Sequence, residues 1–271
     1  MSIVIPTNLI NDFPEIVKGI EVKIPKIIHQ TYKSIEKLPE VWKNTPQSWI
    51  NNHPEWEYVF WSDDDCRNYI QKHFPWFLEV FDGYEYPIQR ADAIRYCILY
   101  MQGGLYADCD IESIKPLDDL FYEDSEIYLI KTPANDVVTN CFMASKPKSE
   151  FWNIVLKEMV YRFKNPSILW IGKHWKVMYT TGPMMLNYVF NKYKTQFTIN
   201  FLPRELLLPT CCNICSEKPC HSPYGYTKLL PGCSWNALDS TLYNWLYCNC
   251  YTLLLFITVS VIIFLYIKYK L

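Results

Sequence analysis

The sequence predicts an α/β fold with a mainly parallel sheet flanked by helices, followed by a C-terminal transmembrane helix. Three observations point there. Short β-type runs alternate with segments of helical periodicity through most of the chain. A long helical pattern stops at Gly103-Gly104 and gives way to "LYADCDI", an apolar run that ends in the pair Asp108 and Asp110. Finally, "YTLLLFITVSVIIFLYI" (251–267) contains no charged residue.

The elements follow in order. "VKIPKIIHQTY", Val22 to Tyr32, is a β-type run interrupted by Pro25 and finishing in polar residues, and it reads as the first buried strand. In "PEVWKNTPQSWINNHPEWEYVFWSDDD" the first half is helical, with Val41, Trp42 and Trp49 as apolar contacts. Glu57 to Trp61 is the second strand, and Ser62 with Asp63 to Asp65 opens a helix through capping side chains. Pro87 to Gln102 is helical, with Ile94, Cys97, Ile98 and Met101 recurring at helical spacing while Arg90, Asp92 and Arg95 fall off that stripe. Further elements are a strand at Glu126 to Ile130, a loop and strand in "NCFMASKP", a helix at Phe151 to Phe163, the segment "YTTGPMMLNYVF", and a closing "PGCSWN".

A chain of 271 residues, half of it hydrophobic and 17% aromatic, has ample material for a core and no disordered composition. Its net charge of −2 excludes the basic footprint of a nucleic-acid binder. We expect one domain over 1–245, with a core at about 22–236, and an anchor over 246–271. As a helix the uncharged run spans roughly 26 Å against a hydrocarbon core of about 30 Å. Tyr247, Tyr251, Tyr266 and Tyr269 sit near its ends, as interfacial aromatics do. The N-terminus lacks the basic and apolar regions of a signal peptide. The expectation is therefore a single-pass tail anchor with the domain facing the cytosol, although Lys268 and Lys270 on the short tail argue the other way.

Of eleven cysteines, Cys66, Cys97, Cys109 and Cys141 lie in apolar surroundings and read as small buried hydrophobes. Cys211, Cys212, Cys215, Cys220 and His221 form a cluster with a C-x-x-C knuckle. Structural Zn²⁺, disulfides and a plain surface loop all explain it. Cys248 and Cys250 abut the span at a position suited to palmitoylation. "ILWIGKHWK", Ile168 to Lys176, interleaves aromatics and bases; it suits an acceptor, a membrane surface or a loop with a packed tryptophan.

The chemistry concentrates at Asp108 and Asp110. Like charges this close repel unless a cation or hydrogen bonds offset them. On a strand of period 2 the two would point the same way, at the strand's carboxyl end, where α/β sheets bind ligands. Two carboxylates so placed suit Mn²⁺ or Mg²⁺. An acidic turn without a ligand is the simpler alternative.

"IPKIIHQTY", "RADAIRYCILYMQGGLYADCDIE", "NCFMASKP", Gly182-Pro183 and Ser234-Trp235 occur in that order between Ile24 and Trp235. This run resembles glycosyltransferase family 32, the D-x-D sugar transferases that include yeast initiating α-1,6-mannosyltransferases and inositol-phosphoceramide mannosyltransferase subunits. More distantly it resembles the core of the clostridial glucosylating toxins. The resemblance implies a GT-A type nucleotide-sugar-binding fold and a metal-dependent, retaining transfer of a hexose. The donor would be GDP-mannose or a UDP-sugar, and the acceptor hydroxyl would belong to a glycan or a linked lipid.

It also implies roles. Asp110 would ligate the metal, and Asp108 would share it or hold ribose and sugar hydroxyls. Arg90, Asp92 and Arg95 would face the donor, with Asp92 accepting from sugar hydroxyls and an arginine on the sugar or phosphate. Ile28, His29 and Gln30 would lie against base and ribose, with a satisfied structural His29 as the alternative, and Tyr106 would lie near the nucleotide or serve as an ordinary core tyrosine. Asn140 would sit by the reacting sugar, Gly182 and Pro183 on the acceptor side, and Ser234 and Trp235 over the diphosphate. One departure stands out: the histidine that many relatives carry just ahead of Ser-Trp is missing from "KLLPGCSW". Two other readings follow from the same residues: a nucleotide-sugar-binding membrane protein with weak turnover, and a toxin-like transferase acting on protein.

Overall fold

The structure, a computed structural model, describes residues 24–121, 124–132, 136–207, 225–232 and 238–270. Its strands are β1 (Ile27–Thr31), β2 (Glu57–Trp61), β3 (Gly104–Ala107), β4 (Ile111–Ser113), β5 (Ile127–Lys131), β6 (Val138–Ser145), β7 (Ile199–Phe201) and β8 (Thr227–Leu229). The helices are α1 (Thr45–Asn52), α2 (Asp63–His73), α3 (Leu78–Gly83), α4 (Pro87–Gln102), α5 (Glu150–Lys164), α6 (Gly172–Thr180), α7 (Pro183–Tyr193), α8 (Arg204–Leu207) and α9 (Leu238–Lys270). Among the described residues, the main sheet has the order β2-β1-β3-β6-β5-β7, and only β6 runs against the others. β4 and β8 form a small antiparallel pair beside it. The expected mainly parallel α/β sheet is what forms.

Strand alternation divides the core into two layers. Val59, Trp61 and Tyr106 face a cluster built with Ile70, Ile98, Trp152 and Leu186. Ile28, Tyr58, Phe60, Leu105 and Ala107 face the other, with Trp49, Tyr128 and Phe142. α4 lies in the first layer and is buried nearly all round, from Asp92 through Leu99. Off the apolar stripe, Asp92 and Arg95 are nonetheless inside the protein. Trp42 and Trp49 are buried as expected, but Val41 is 56% exposed.

Two local devices set the site. Ser62 caps α2 by accepting from the Asp65 amide at 3.1 Å, and Asp65 accepts in return from the Ser62 amide at 3.0 Å. Asp63 to Asp65 thus begin a helix, as the sequence predicts. At the other end of α4, Gly103 and Gly104 take φ of +68° and +86°. A Cβ on Gly104 would stand 2.5 Å from the Ile27 carbonyl oxygen. That close backbone approach lets β3 leave α4 and pair at once with β1.

The expected single strand through "LYADCDI" is broken. β3 stops at Ala107, a turn carries Asp108 to Asp110 with the Ile111 amide donating to the Asp108 carbonyl at 3.0 Å, and β4 resumes beyond it. The two carboxylates sit on a turn rather than along one strand face. Toward the C-terminus, α9 begins at Leu238, so the expected boundary at 245/246 lies within one continuous helix. By length and composition the stretch Leu238–Ile262 is apolar enough to cross a membrane. Cys66, Cys97 and Cys109 are buried free thiols as expected, while Cys248 is disulfide-bonded and so is not available for palmitoylation. The Cys211 to His221 cluster lies outside the described residues.

Gly104→Ala is expected to lower stability by at least about 2 kcal/mol, from left-handed backbone strain plus the clash with Ile27. Thermal unfolding of the detergent-purified chain measures it, and a loss below about 0.5 kcal/mol would contradict the close packing of α4, β3 and β1.

Candidate nucleotide-sugar site

At the carboxyl ends of β1 and β3 the structure opens a cavity of about 810 Å³. Its lining includes Arg90, Asp92, Arg95, Tyr106, Asp108, Asp110, Asn140 and Pro183, eight of the residues expected from sequence. They come from α4, β3, the β3–β4 turn, β6 and the start of α7, segments that only the fold brings together.

Arg95 is the centre of the arrangement. It is 3% exposed. Its Nη1 donates to Asp108 Oδ1 at 2.9 Å and to the Asn140 carbonyl at 2.8 Å, and its Nε donates to the Ala91 carbonyl at 3.1 Å. Its Nη2 lies 3.1 Å from Asp92 Oδ1, and the guanidinium covers the Tyr106 ring at 4.7 Å. Burial opposes the charge, but Asp108, Tyr106 and Asp92 together hold it firmly protonated. Arg95 is thus committed to protein groups.

Asp92 is equally engaged. Its Oδ1 accepts from Asn140 Nδ2 at 2.9 Å and its Oδ2 from Thr181 Oγ1 at 3.0 Å. Asn140 also donates to the Tyr96 hydroxyl at 3.0 Å, and Tyr96 donates to the Thr181 carbonyl at 2.8 Å. Burial pushes the Asp92 carboxyl up to about 6, against the opposing pull of Arg95. Asp108 Oδ1 accepts from Arg95 and, at 2.8 Å, from the Tyr106 hydroxyl. With that proton spent, Thr31 donates to the Tyr106 oxygen at 3.1 Å. Burial raises the Asp108 carboxyl, with Arg95 and Tyr106 opposing.

Asp110 stands apart. No side-chain donor among the described residues is shown on its carboxylate, and burial followed by the charge of Asp108 pushes it up to about 7. The segment after β8 passes directly over it. The Leu230 amide donates to the Asp110 carbonyl at 2.7 Å, Trp42 Nε1 donates to the Pro231 carbonyl at 2.9 Å, and a Cβ on Gly232 would lie 3.3 Å from Asp110 Oδ2. Ser234 and Trp235 follow Gly232 but lie outside the described residues. Arg90 also faces the cavity; its Nη1 donates to the Tyr84 carbonyl at 2.8 Å, and it makes no ion pair among the described residues.

Several expected contacts fall elsewhere. Ile28, His29 and Gln30 are fully buried and do not line the cavity. His29 accepts from Trp61 at Nδ1 (3.3 Å) and donates from Nε2 to the Gly103 carbonyl at 3.0 Å, and burial lowers its pKa to about 4. It is a neutral structural histidine. Gln30 donates to the Asp108 carbonyl at 3.0 Å and accepts from Tyr58 at 2.7 Å, so it fixes the turn from behind. The end of β1 reaches the cavity one to three residues later, through Thr31, Tyr32 and Lys33. Tyr106 is fully buried with Arg95 over one face of its ring. Gly182 is not part of the lining; it precedes α7, and a Cβ there would meet the Val177 carbonyl at 3.1 Å. Sequence reasoning missed Trp42, Thr181 and Tyr96. Thr181 was within reach, since it directly precedes Gly182-Pro183, and so was Tyr96, which directly follows Arg95; Trp42 carries no local signal.

The raised carboxyls give a pH dependence with a definite sign. A folded pKa of about 7 for Asp110 means that the folded state favours its neutral form. That contribution erodes as pH rises from the unfolded value of about 4 through 7. In chelator, Asp110→Asn is therefore expected to melt higher than the parent at pH 8, on the order of a few °C, with a smaller gain at pH 5. Equal gains at both pH values would contradict the assigned environment.

Residues 39–126 match the family model described as a glycosyltransferase sugar-binding region containing a DXD motif. Inositol phosphoceramide mannosyltransferase 2 of Schizosaccharomyces pombe is 35% identical over 226 residues, 83% of this chain and 62% of that protein. Inositol phosphoceramide mannosyltransferase 3 of the same organism is 30% identical over 264 residues, 95% of this chain and 69% of that protein. The chain spans 62%, 53% and 43% of the lengths of the first three curated relatives it matches. Among solved structures, PaToxG glycosyltransferase superposes with a TM-score of 0.51 at 16% identity, covering 64% of this chain and 70% of that one, which shows a shared fold. Identity sustained over almost the whole chain, together with the signature at 39–126, shows that the chain belongs to the family of glycosyltransferases built on the DXD sugar-binding region.

Proposed function

We propose that the chain transfers a hexose from a nucleoside diphosphate sugar to a hydroxyl of a lipid-linked acceptor, with GDP-mannose the leading donor. The single observation that carries this is the convergence of Arg90, Asp92, Asp108, Asp110 and Asn140 on one cavity. The names of the relatives, inositol phosphoceramide mannosyltransferases, support mannose as the sugar and a phosphoinositol lipid as the acceptor class.

The carboxylate arrangement fits a hard divalent cation. Asp108 Oδ1 is taken by Arg95 and Tyr106. Asp108 and Asp110 both line the cavity, and two carboxylates this close suit a hard cation that offsets their mutual repulsion. No group of three or more His, Cys, Asp or Glu side chains forms a metal cluster among the described residues. Asp108 and Asp110 would therefore hold Mn²⁺ or Mg²⁺ together with donor phosphate oxygens and water. A cation there supplies neutralisation of the departing diphosphate.

The chain's own residues do the rest. Arg90, with no carboxylate partner among the described residues, is placed to bind a phosphate or a sugar hydroxyl. Asp92, fixed by Arg95, Asn140 and Thr181, presents an acceptor to sugar hydroxyls and is too encumbered to serve as a covalent nucleophile. This favours front-face attack with retention. The bond between the anomeric carbon and the diphosphate oxygen breaks on the face where the bond to the acceptor oxygen forms. The acceptor proton passes to the departing diphosphate, which leaves as nucleoside diphosphate.

Anchoring by α9 is read from its length and apolarity. The disulfide at Cys248 supports an oxidising compartment for the adjoining domain, in place of the cytosolic face expected from sequence. Structural Zn²⁺ at the Cys211 to His221 cluster stays a proposal of the sequence alone.

The test is nucleoside diphosphate release by the detergent-purified full chain from GDP-mannose and UDP-sugars with Mn²⁺. Asp110→Ala is expected to lower kcat/KM by about 100-fold or more. Arg90→Ala is expected to raise the donor KM about tenfold or more with a smaller change in kcat. Tight donor binding without turnover would replace the enzyme by a binding protein, and an Asp110→Ala variant of full activity would remove the metal assignment.

A further inference from the structure

The loop between α5 and α6, "SILWI" (167–171), has a shape that the proposed reaction does not explain. Trp170 turns inward: its ring stacks on Tyr179 with centroids 6.2 Å apart, and the Arg162 guanidinium lies over it at 5.9 Å. A turn fixes the backbone, with the Trp170 amide donating to the Ser167 carbonyl at 3.2 Å. The remaining apolar side chains point out. Ile168 is 91% exposed, Leu169 77% and Ile171 75%. Three adjacent large apolar side chains held outward by a pinned tryptophan form a patch of the kind that soluble surfaces avoid.

Its location says what covers it. The first turns of α9 are clamped to the helix that this loop starts. Asp239 Oδ2 accepts from the His174 amide at 2.7 Å, and Ser240 Oγ lies 3.2 Å from His174 Nδ1. Tyr243 stacks on His174 with centroids 5.1 Å apart and meets Trp175 edge-on at 4.7 Å. Leu238, Leu242 and Trp245 on these turns are themselves exposed. The apolar loop is thus fixed beside the base of an exposed apolar helix long enough to cross a bilayer. Continuity with that helix favours lipid over a protein partner.

We propose that residues 168–171 are a membrane-docking wedge, inserted into the bilayer interface next to the α9 span. The next helix, α6, contributes Lys173, Val177 and Met178 to the cavity lining, so the wedge would seat the cavity against the lipid surface. Resting on the proposed function, this assigns the acceptor hydroxyl to the headgroup of a lipid that stays in the membrane.

The test is photo-crosslinking of the full chain in phosphatidylcholine vesicles. A diazirine-bearing amino acid is placed singly at positions 168, 169 and 171, at position 254 within α9, and at position 114. Ile114 is also exposed but sits at the end of β4, in the opposite layer. Lipid adducts by mass spectrometry at 168, 169 and 171, at least about half as abundant as at 254 and above those at 114, are expected. Loop yields no higher than at 114, or adducts to protein instead of lipid, would overturn the wedge; absence at 254 as well would also remove the anchor. The readout needs no turnover, so a chain without transferase activity and a loop without lipid adducts are separate results.

Discussion

A buried arginine held between one buried carboxylate, Asp92, and one half-buried carboxylate, Asp108, governs this structure. Arg95 is committed to Asp92, Asp108, the Asn140 and Ala91 carbonyls and the Tyr106 ring. Burial raises both carboxyls, Asp92 nearly enclosed and Asp108 half-buried, and the Arg95 charge opposes that rise at each. In return, the two carboxylates and a carbonyl fix the guanidinium so completely that it acts as part of the frame. The Arg95 guanidinium is thus spent on the protein, whereas Arg90, earlier on α4, lines the cavity with no ion pair among the described residues.

Around this hub each layer contributes a constraint. From behind, Gln30 holds the Asp108 carbonyl and His29 holds the Gly103 carbonyl, so β1 fixes the turn without touching the cavity. From β6, Asn140 links Asp92 to Tyr96 and so to Thr181 at the head of α7. From the C-terminal segment, Leu230 and Pro231 close over the Asp110 side with the help of Trp42. Asp110 has no shown side-chain donor among the described residues, and burial with the charge of Asp108 holds its carboxyl up at about 7. Rigid surroundings and one uncompensated carboxylate suit a site that gains its last partner with the substrate.

Much of this was readable in the sequence where the signal is local. Gly103-Gly104 announces a backbone approach that no side chain permits, and Ser62 with Asp65 announces a helix start. The D-x-D pair and the Arg-Ala-Asp-x-x-Arg helix announce the chemistry. The failures share one cause. Period-2 reasoning placed Asp108 and Asp110 on a strand face, but the β3–β4 turn is imposed by pairing with β8, more than a hundred residues later. Periodicity put Asp92 and Arg95 off the apolar stripe, yet their mutual pairing lets them sit inside. His29 and Gln30 look like ligand contacts because they are polar residues at a strand end; their partners at Trp61, Tyr58 and Gly103 come from other elements, invisible until the sheet forms.

The central claim is that Arg95 makes the burial of Asp108 tolerable, and a double-mutant cycle measures it most directly. Equilibrium unfolding would be followed for the parent, Arg95→Met, Asp108→Asn and the double variant. The account predicts that Arg95→Met costs about 3–5 kcal/mol alone and that adding Asp108→Asn recovers at least about 1 kcal/mol of it. Effects that simply add, within about 0.5 kcal/mol, would mean that the two side chains do not depend on each other and would contradict the account.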